Sequence, residues 1–275
     1  MNVTHHPTAI TGRIGLLFTP LEIVRIERDI GGRRQNSDPE PTGHYVYEGF
    51  SVGPTPYLYP AMGFSAILFD LDGTLIDSIE LILSSYHHTL LHHRGSVPPD
   101  AIWLSGLGTP LRQQLTKFTE DPAELDAMAE TYRAHNMANH DRLVRAYPGT
   151  VEAVGELKKR GAKLAVVTSK LREGALRGLR HCGFDGIFET LVCADDVDRP
   201  KPNPEPVMKA VRLLGVEPSQ AAFVGDSRHD LVAGKRAGVT TAAALWGPFD
   251  RDALVASEPD LWLSYPAELV GLLDE

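Results

Sequence analysis

Cysteine is scarce in this sequence, and so are long apolar runs and blocks of positive charge. Cys182 and Cys193 are its two cysteines; they form no C-x-x-C pair, and two cysteines make no disulfide framework. Buried, reduced thiols are the expectation, and with them a cytoplasmic setting. No apolar run approaches the roughly 20 residues that a membrane span requires. The N-terminus lacks the basic segment and apolar h-region of a secretory signal. Acidic residues outnumber basic ones 36 to 27, for a net charge of -9 and a pI near 5.7. That balance argues against nucleic acid or an anionic membrane as the main partner. What remains is ordinary: 43% hydrophobic and 23% charged residues, enough at this length for one sizeable core plus an accessory domain.

Residues 1–61 differ in texture from the rest. The apolar run from Ile14 to Val24 is interrupted by Pro20, and Arg33 to Gly43 offers almost nothing to bury. The expectation is an irregular or disordered extension. Met62 stands immediately before the first convincing strand, so a translation start at Met62 is an alternative reading.

From Ser65 to Phe69 a short apolar run predicts a strand buried on both faces. Gly73 allows a sharp turn after it, and Asp77 or Ser78 can cap the next helix. Ile79 to Arg94 has helical spacing and ends at Gly95. Further helical segments follow to Arg145 without any strand pattern, so residues 78–147 predict a small all-helical insert. Strand then alternates with helix: Lys163 to Val167, Leu171 to His181, Thr190 to Cys193, Pro206 to Leu214, Gln220 to Val224 and Leu231 to Ala237. Such alternation predicts an α/β fold with a parallel sheet covered on both faces. The core comprises residues 62–77 and 148–275. Ligands of such sheets bind beyond the carboxyl ends of the strands, here at Asp70, Thr168 and Asp226.

Those ends carry polar groups that are costly to bury unpaired. Asp70 and Asp72 follow the first strand, Thr168 and Ser169 the second, Asp226 and Asp230 the last, while Lys201 lies in the proline-rich loop R-P-K-P-N-P-E-P. Several carboxylates with one lysine and two hydroxyls suit a phosphate dianion and a hard divalent cation such as Mg²⁺. Each position also has a plainer reading. D-x-D-G forms turns, S-x-x-D from Ser227 to Asp230 is a capping box, Ser169 can cap the following helix, and Lys201 can be a solvated loop lysine. His87, His88, His92 and His93 recur at metal-compatible spacing, but no second ligand cluster accompanies them, which favours a partly exposed helix face. Trp246 reads as packing near the mouth of the sheet.

F-D-L-D-G-T-L, V-V-T-S-K, the lysine of R-P-K-P-N-P and V-G-D-S-R-H-D resemble the four ordered motifs of the haloacid dehalogenase superfamily of phosphohydrolases. The resemblance covers residue 64 to about 270. It implies a Rossmann-like core with a helical cap inserted just after the first core strand. It implies Asp70 as nucleophile, forming an aspartyl-phosphate, and Asp72 as general acid and base. Asp70, the backbone carbonyl of Asp72 and Asp226 become Mg²⁺ ligands with Asp230 in support, and Thr168 and Lys201 hold the phosphate. The overall resemblance is strongest to the phosphoglycolate phosphatase and PpaX-type pyrophosphatase branch. It implies a Mg²⁺-dependent phosphohydrolase of a small phosphorylated metabolite: phosphoglycolate, a similar phosphomonoester, or pyrophosphate. Asp72 speaks against a dehalogenase, which lacks that acid. Lys117 is the one lysine between Ser78 and Tyr147, deep in the insert, which counts against a Schiff-base phosphonate hydrolase. A phosphosugar mutase and a non-catalytic phosphate-binding relative stay open. The insert loop from Ser105 to Arg112 is expected to face the phosphoryl group, with Arg112 meeting a second anionic group.

Overall fold

The computed structural model describes residues 63–274; the reading of residues 1–61 and the alternative start at Met62 lie outside the described residues. The first strand, β1 (Ala66–Phe69), is buried along its whole length. Its alternation splits the core, because successive side chains point to opposite faces. Ile67 and Phe69 pack with Val154, Leu157, Ala175 and Leu179 on one face. Ala66 and Leu68 pack with Val207, Val211, Ala233 and Ala237 on the other. Leu68→Ala would leave a cavity worth about 2–5 kcal/mol.

Two residues of β2 (Ile76–Asp77) lead into the helical insert, made of α1 (Ile79–Arg94), α2 (Asp100–Leu104), α3 (Leu111–Leu115) and α4 (Pro122–Leu143). The chain leaves it through β3 (Arg145–Ala146), which pairs antiparallel with β2. The sequence pattern showed no strand here because two residues are too few to display alternation. The insert has a separate apolar cluster. In it Trp103 stacks on Tyr86 at 4.0 Å and on Phe118 at 4.5 Å between ring centroids.

After β3 come α5 (Thr150–Lys159), β4 (Lys163–Val167), α6 (Arg172–His181), β5 (Thr190–Val192), α7 (Glu205–Leu214), β6 (Ala221–Gly225), α8 (Arg228–Ala237), β7 (Thr240–Ala244), α9 (Arg251–Leu254) and β8 (Leu261–Leu263). A 3-10 helix, Pro266–Leu273, closes the described chain. The sheet order is β5-β4-β1-β6-β7-β8, with every described pairing parallel. This is the parallel-sheet α/β fold read from the strand–helix alternation, and the Rossmann-like core that the family resemblance implied. β1 lies between β4 and β6, so Asp70, Thr168 and Asp226 emerge side by side at one edge. No helix among the described residues is long and apolar enough to cross a membrane.

Candidate active site

The centre of the site is a buried lysine surrounded by acids. Lys201 is 1% exposed. Its ammonium reaches Asp70 Oδ1 at 2.8 Å and donates to Asp230 Oδ1 at 2.6 Å and to the Val167 carbonyl at 3.1 Å. All three of its N–H bonds therefore have acceptors, which is the condition for burying an ammonium. Burial works against its charge, but Asp230 and Asp70 more than offset that and hold its pKa above the usual lysine value.

Asp226 stands on the other side. Its Oδ1 accepts from the Thr74 hydroxyl at 2.7 Å, and Trp246 Nε1 donates to the Thr74 carbonyl at 2.8 Å. Trp246 thus fixes the residue that fixes Asp226, beyond the packing expected of it. Asp226 Oδ2 is buried with no hydrogen-bond partner among the described residues. Gly73, at φ +92°, turns the chain against this carboxylate so closely that any Cβ there would overlap it. Asp230 is fully engaged: Ser227 N and Oγ donate to its Oδ2 at 3.0 and 2.5 Å. The capping-box and site readings of Asp230 meet in one residue, since its other oxygen takes the Lys201 bond.

Carboxylate oxygens of Asp70, Asp226 and Asp230 lie within 4.8 Å of one another. Three buried carboxylates face one lysine, so ionising all three would leave negative charge uncompensated. Burial, then Asp230, push the Asp70 carboxyl up to about 7, with Lys201 pulling the other way. Burial, then Asp230 and Asp70, raise Asp226 well above the carboxylate range. Oxygen donors, excess negative charge and one orphaned carboxylate oxygen together fit a hard divalent cation.

Asp72 points elsewhere. Its Oδ1 accepts from Ser78 Oγ at 2.5 Å and from Lys170 Nζ at 2.6 Å. Of Asp77 and Ser78, the two candidate caps of α1, Ser78 makes no cap bond, and Asp77 accepts from Ile79 N at 3.3 Å. Lys170 had no role in the sequence reading, although it closes the V-V-T-S-K motif. Thr168 is 5% exposed, and its Oγ1 accepts from Lys170 N at 3.1 Å, leaving the hydroxyl proton to donate. Ser169 does not cap α6; its hydroxyl donates at 2.6 Å to the carbonyl of Gly108 in the insert loop. That loop therefore rests on the strand ends.

Arg112 borders the same cavity as Asp70, Asp72, Thr168 and Ser169, but its guanidinium is paired with Asp126. The histidines of α1 stay apart from this centre: His87 meets Asp100 at 2.5 Å, His93 meets Thr131 at 2.9 Å, and His88 stacks on His135.

Residues 67–244 match the family described as haloacid dehalogenase-like hydrolase. The chain belongs to that family. Relatives within it include the pyrophosphatase PpaX of Bacillus velezensis, 44% identical over 209 residues, covering 76% of this chain and 95% of that protein. The pyrophosphatase PpaX of Anoxybacillus flavithermus is 40% identical over 212 residues, covering 77% and 98%. Among solved structures, a predicted phosphoglycolate phosphatase from Haemophilus somnus superposes with a TM-score of 0.69 at 25% identity, covering 76% of this chain and 98% of that one. The haloacid dehalogenase-like fold accounts for the clustering of motifs distant in sequence: each of the four closes on one strand end or the loop beside it.

Proposed function

We propose that the chain is a Mg²⁺-dependent phosphohydrolase of a small phosphorylated metabolite, working through an aspartyl-phosphate on Asp70. The observation that carries this reading is the different surroundings of the Asp70 and Asp72 carboxylates. Asp70 sits with Lys201, Asp226 and Asp230, while the Asp72 side chain turns away to Ser78 and Lys170. Kinship with proteins named pyrophosphatase and phosphoglycolate phosphatase supports the substrate class.

Asp70, Asp226, the Asp72 carbonyl and, in support, Asp230 would hold the cation, which when bound offsets the negative charge of acids and phosphate and polarises the phosphoryl group. Asp70 attacks phosphorus, and the bond from phosphorus to the leaving oxygen breaks. Asp72 gives that oxygen its proton, then takes one from the water that attacks the aspartyl-phosphate, so that phosphate leaves and Asp70 is regenerated. The Thr168 hydroxyl donates to a phosphoryl oxygen, Ser169 steadies the insert loop beside it, and Lys201 balances the charge at Asp70.

The test is phosphate release from phosphoglycolate and pyrophosphate by the purified full chain, with Mg²⁺ and with EDTA. Turnover that needs Mg²⁺ and is lost in Asp70→Asn is the expected result. No release by the wild type, or the same rate in Asp70→Asn, would overturn the reading.

A further inference from the structure

The cavity between the helical insert and the strand ends is larger and less polar than an inorganic leaving group requires. It encloses about 450 Å³, a size typical of pockets for small organic ligands. The volume is that of a docked insert, because Gly108 already accepts from Ser169. Asp70, Asp72 and Thr168 form its polar end. Away from them the wall is mostly apolar, with Ile82, Tyr86, Leu111, Tyr132, Met137 and Leu171, and Gln114 and Asn136 set among them. Tyr86 stacks on Trp103 at 4.0 Å and meets Tyr132 at 4.9 Å, so this wall is braced by aromatic rings rather than by mobile chains.

The charges at the wall point the same way. Lys170 is engaged by Asp72, and Arg112 is paired with Asp126. Arg133 is the lining cation without an ion pair among the described residues, and Glu173 and Asp198 add negative charge to the lining. A departing phosphate, with its several charged oxygens, would find one unpaired cation and two amides to replace its hydration, beside two repelling carboxylates. An apolar group would lose none and would gain from leaving water.

Building on the phosphohydrolase reading above, we infer that the preferred substrate is an organic phosphomonoester whose leaving alcohol carries an apolar, ring-sized body, seated against Tyr86, Leu111, Tyr132 and Met137. Benzyl phosphate and methyl phosphate have alcohols of similar basicity and differ mainly in that body, so their ratio of kcat/KM isolates it. The purified full chain with Mg²⁺ should favour benzyl phosphate by about tenfold or more, the scale of burying an aromatic ring. Met137→Asp should bring the ratio close to one, and Leu111→Asp gives an independent reading should Met137→Asp misfold.

A wild-type ratio near one, or pyrophosphate cleaved faster than benzyl phosphate, overturns the inference and leaves the phosphohydrolase reading standing. So does a ratio unchanged in both variants. Absence of turnover on all three compounds and on phosphoglycolate would sink the phosphohydrolase reading. Calorimetric binding of the two esters to Asp70→Asn then decides the inference by the same ratio: tighter benzyl phosphate upholds it, equal affinities overturn it.

Discussion

Lys170 Nζ lies 2.6 Å from Asp72 Oδ1 across a sequence separation of 98 residues, and both side chains are mostly buried, at 15% and 17% exposure. A charged bond this short and sheltered fixes the direction of the Asp72 carboxylate. Lys170→Met should lower kcat by about tenfold to a hundredfold, part of what a positioned acid and base supplies. Lys170→Arg should recover some of that loss. Steady-state kinetics on one phosphomonoester checks both; a change confined to KM would mean that Lys170 binds substrate and does not orient Asp72.

Asp72 and Asp70 should separate on substitution. On the roles proposed above, Asp72→Asn removes the proton shuttle but keeps the backbone carbonyl offered to the cation. Its kcat should fall by about 10²–10⁴ while Mg²⁺ affinity, read by calorimetry, stays close to the wild-type value. A collapse of metal binding in that variant would contradict the division of roles.

Gly108 should tolerate no side chain. Its φ is +89°, and a Cβ would lie 2.7 Å from Ser227 Oγ. Strain of about 1–3 kcal/mol would be relieved by lifting the insert loop from Ser169. Gly108→Ala should therefore reduce kcat/KM by about tenfold or more, with the sheet intact by circular dichroism. Unaltered kinetics would show that the docked loop is not needed for turnover.

The crowded carboxylates give a sign to the pH dependence of stability. The folded pKa of Asp70, about 7, lies above the ordinary aspartate value of 3.8, and Asp226 is raised as well. Between those pH values the folded state holds protons that the unfolded chain has released, so stability falls as pH rises. In EDTA, Tm should drop between pH 5 and pH 8. Mg²⁺, binding the ionised acids, should raise Tm more at pH 8 than at pH 5. Equal stabilisation by Mg²⁺ at both pH values would contradict this account.

The strand ends were legible because buried parallel strands are short apolar runs, and the polar residues that stop them stand out. Asp70, Thr168 and Asp226 were placed in this way, and Lys201 by the prolines around it. Contacts between distant segments left no such trace. Ser78 and Ser169 both precede helices, where a hydroxyl ordinarily caps; here the first holds Asp72 and the second holds Gly108. A lysine after a strand is ordinarily solvated, so Lys170 drew no role although it closes the V-V-T-S-K motif. Thr74 and Trp246 became site residues only when the turn at Gly73 brought them beside Asp226.

The two-residue pairing of Ile76 with Ala146 and Asp77 with Arg145 also bears on how the chain folds. β1 must find β4 and β6 across the whole insert, and a flexible connection pays loop-closure entropy for its length. That cost grows only logarithmically, about 0.6 kcal/mol per doubling, and the pairing of β2 with β3 takes the insert out of the loop that β1 and β4 must close. It brings the entry and exit strands of the insert alongside each other, so the sheet meets a short loop instead of a long one. Insert length and sequence are then nearly free of the folding problem of the core. Selection could rebuild the helices that face the substrate without unsettling the strands that hold the acids.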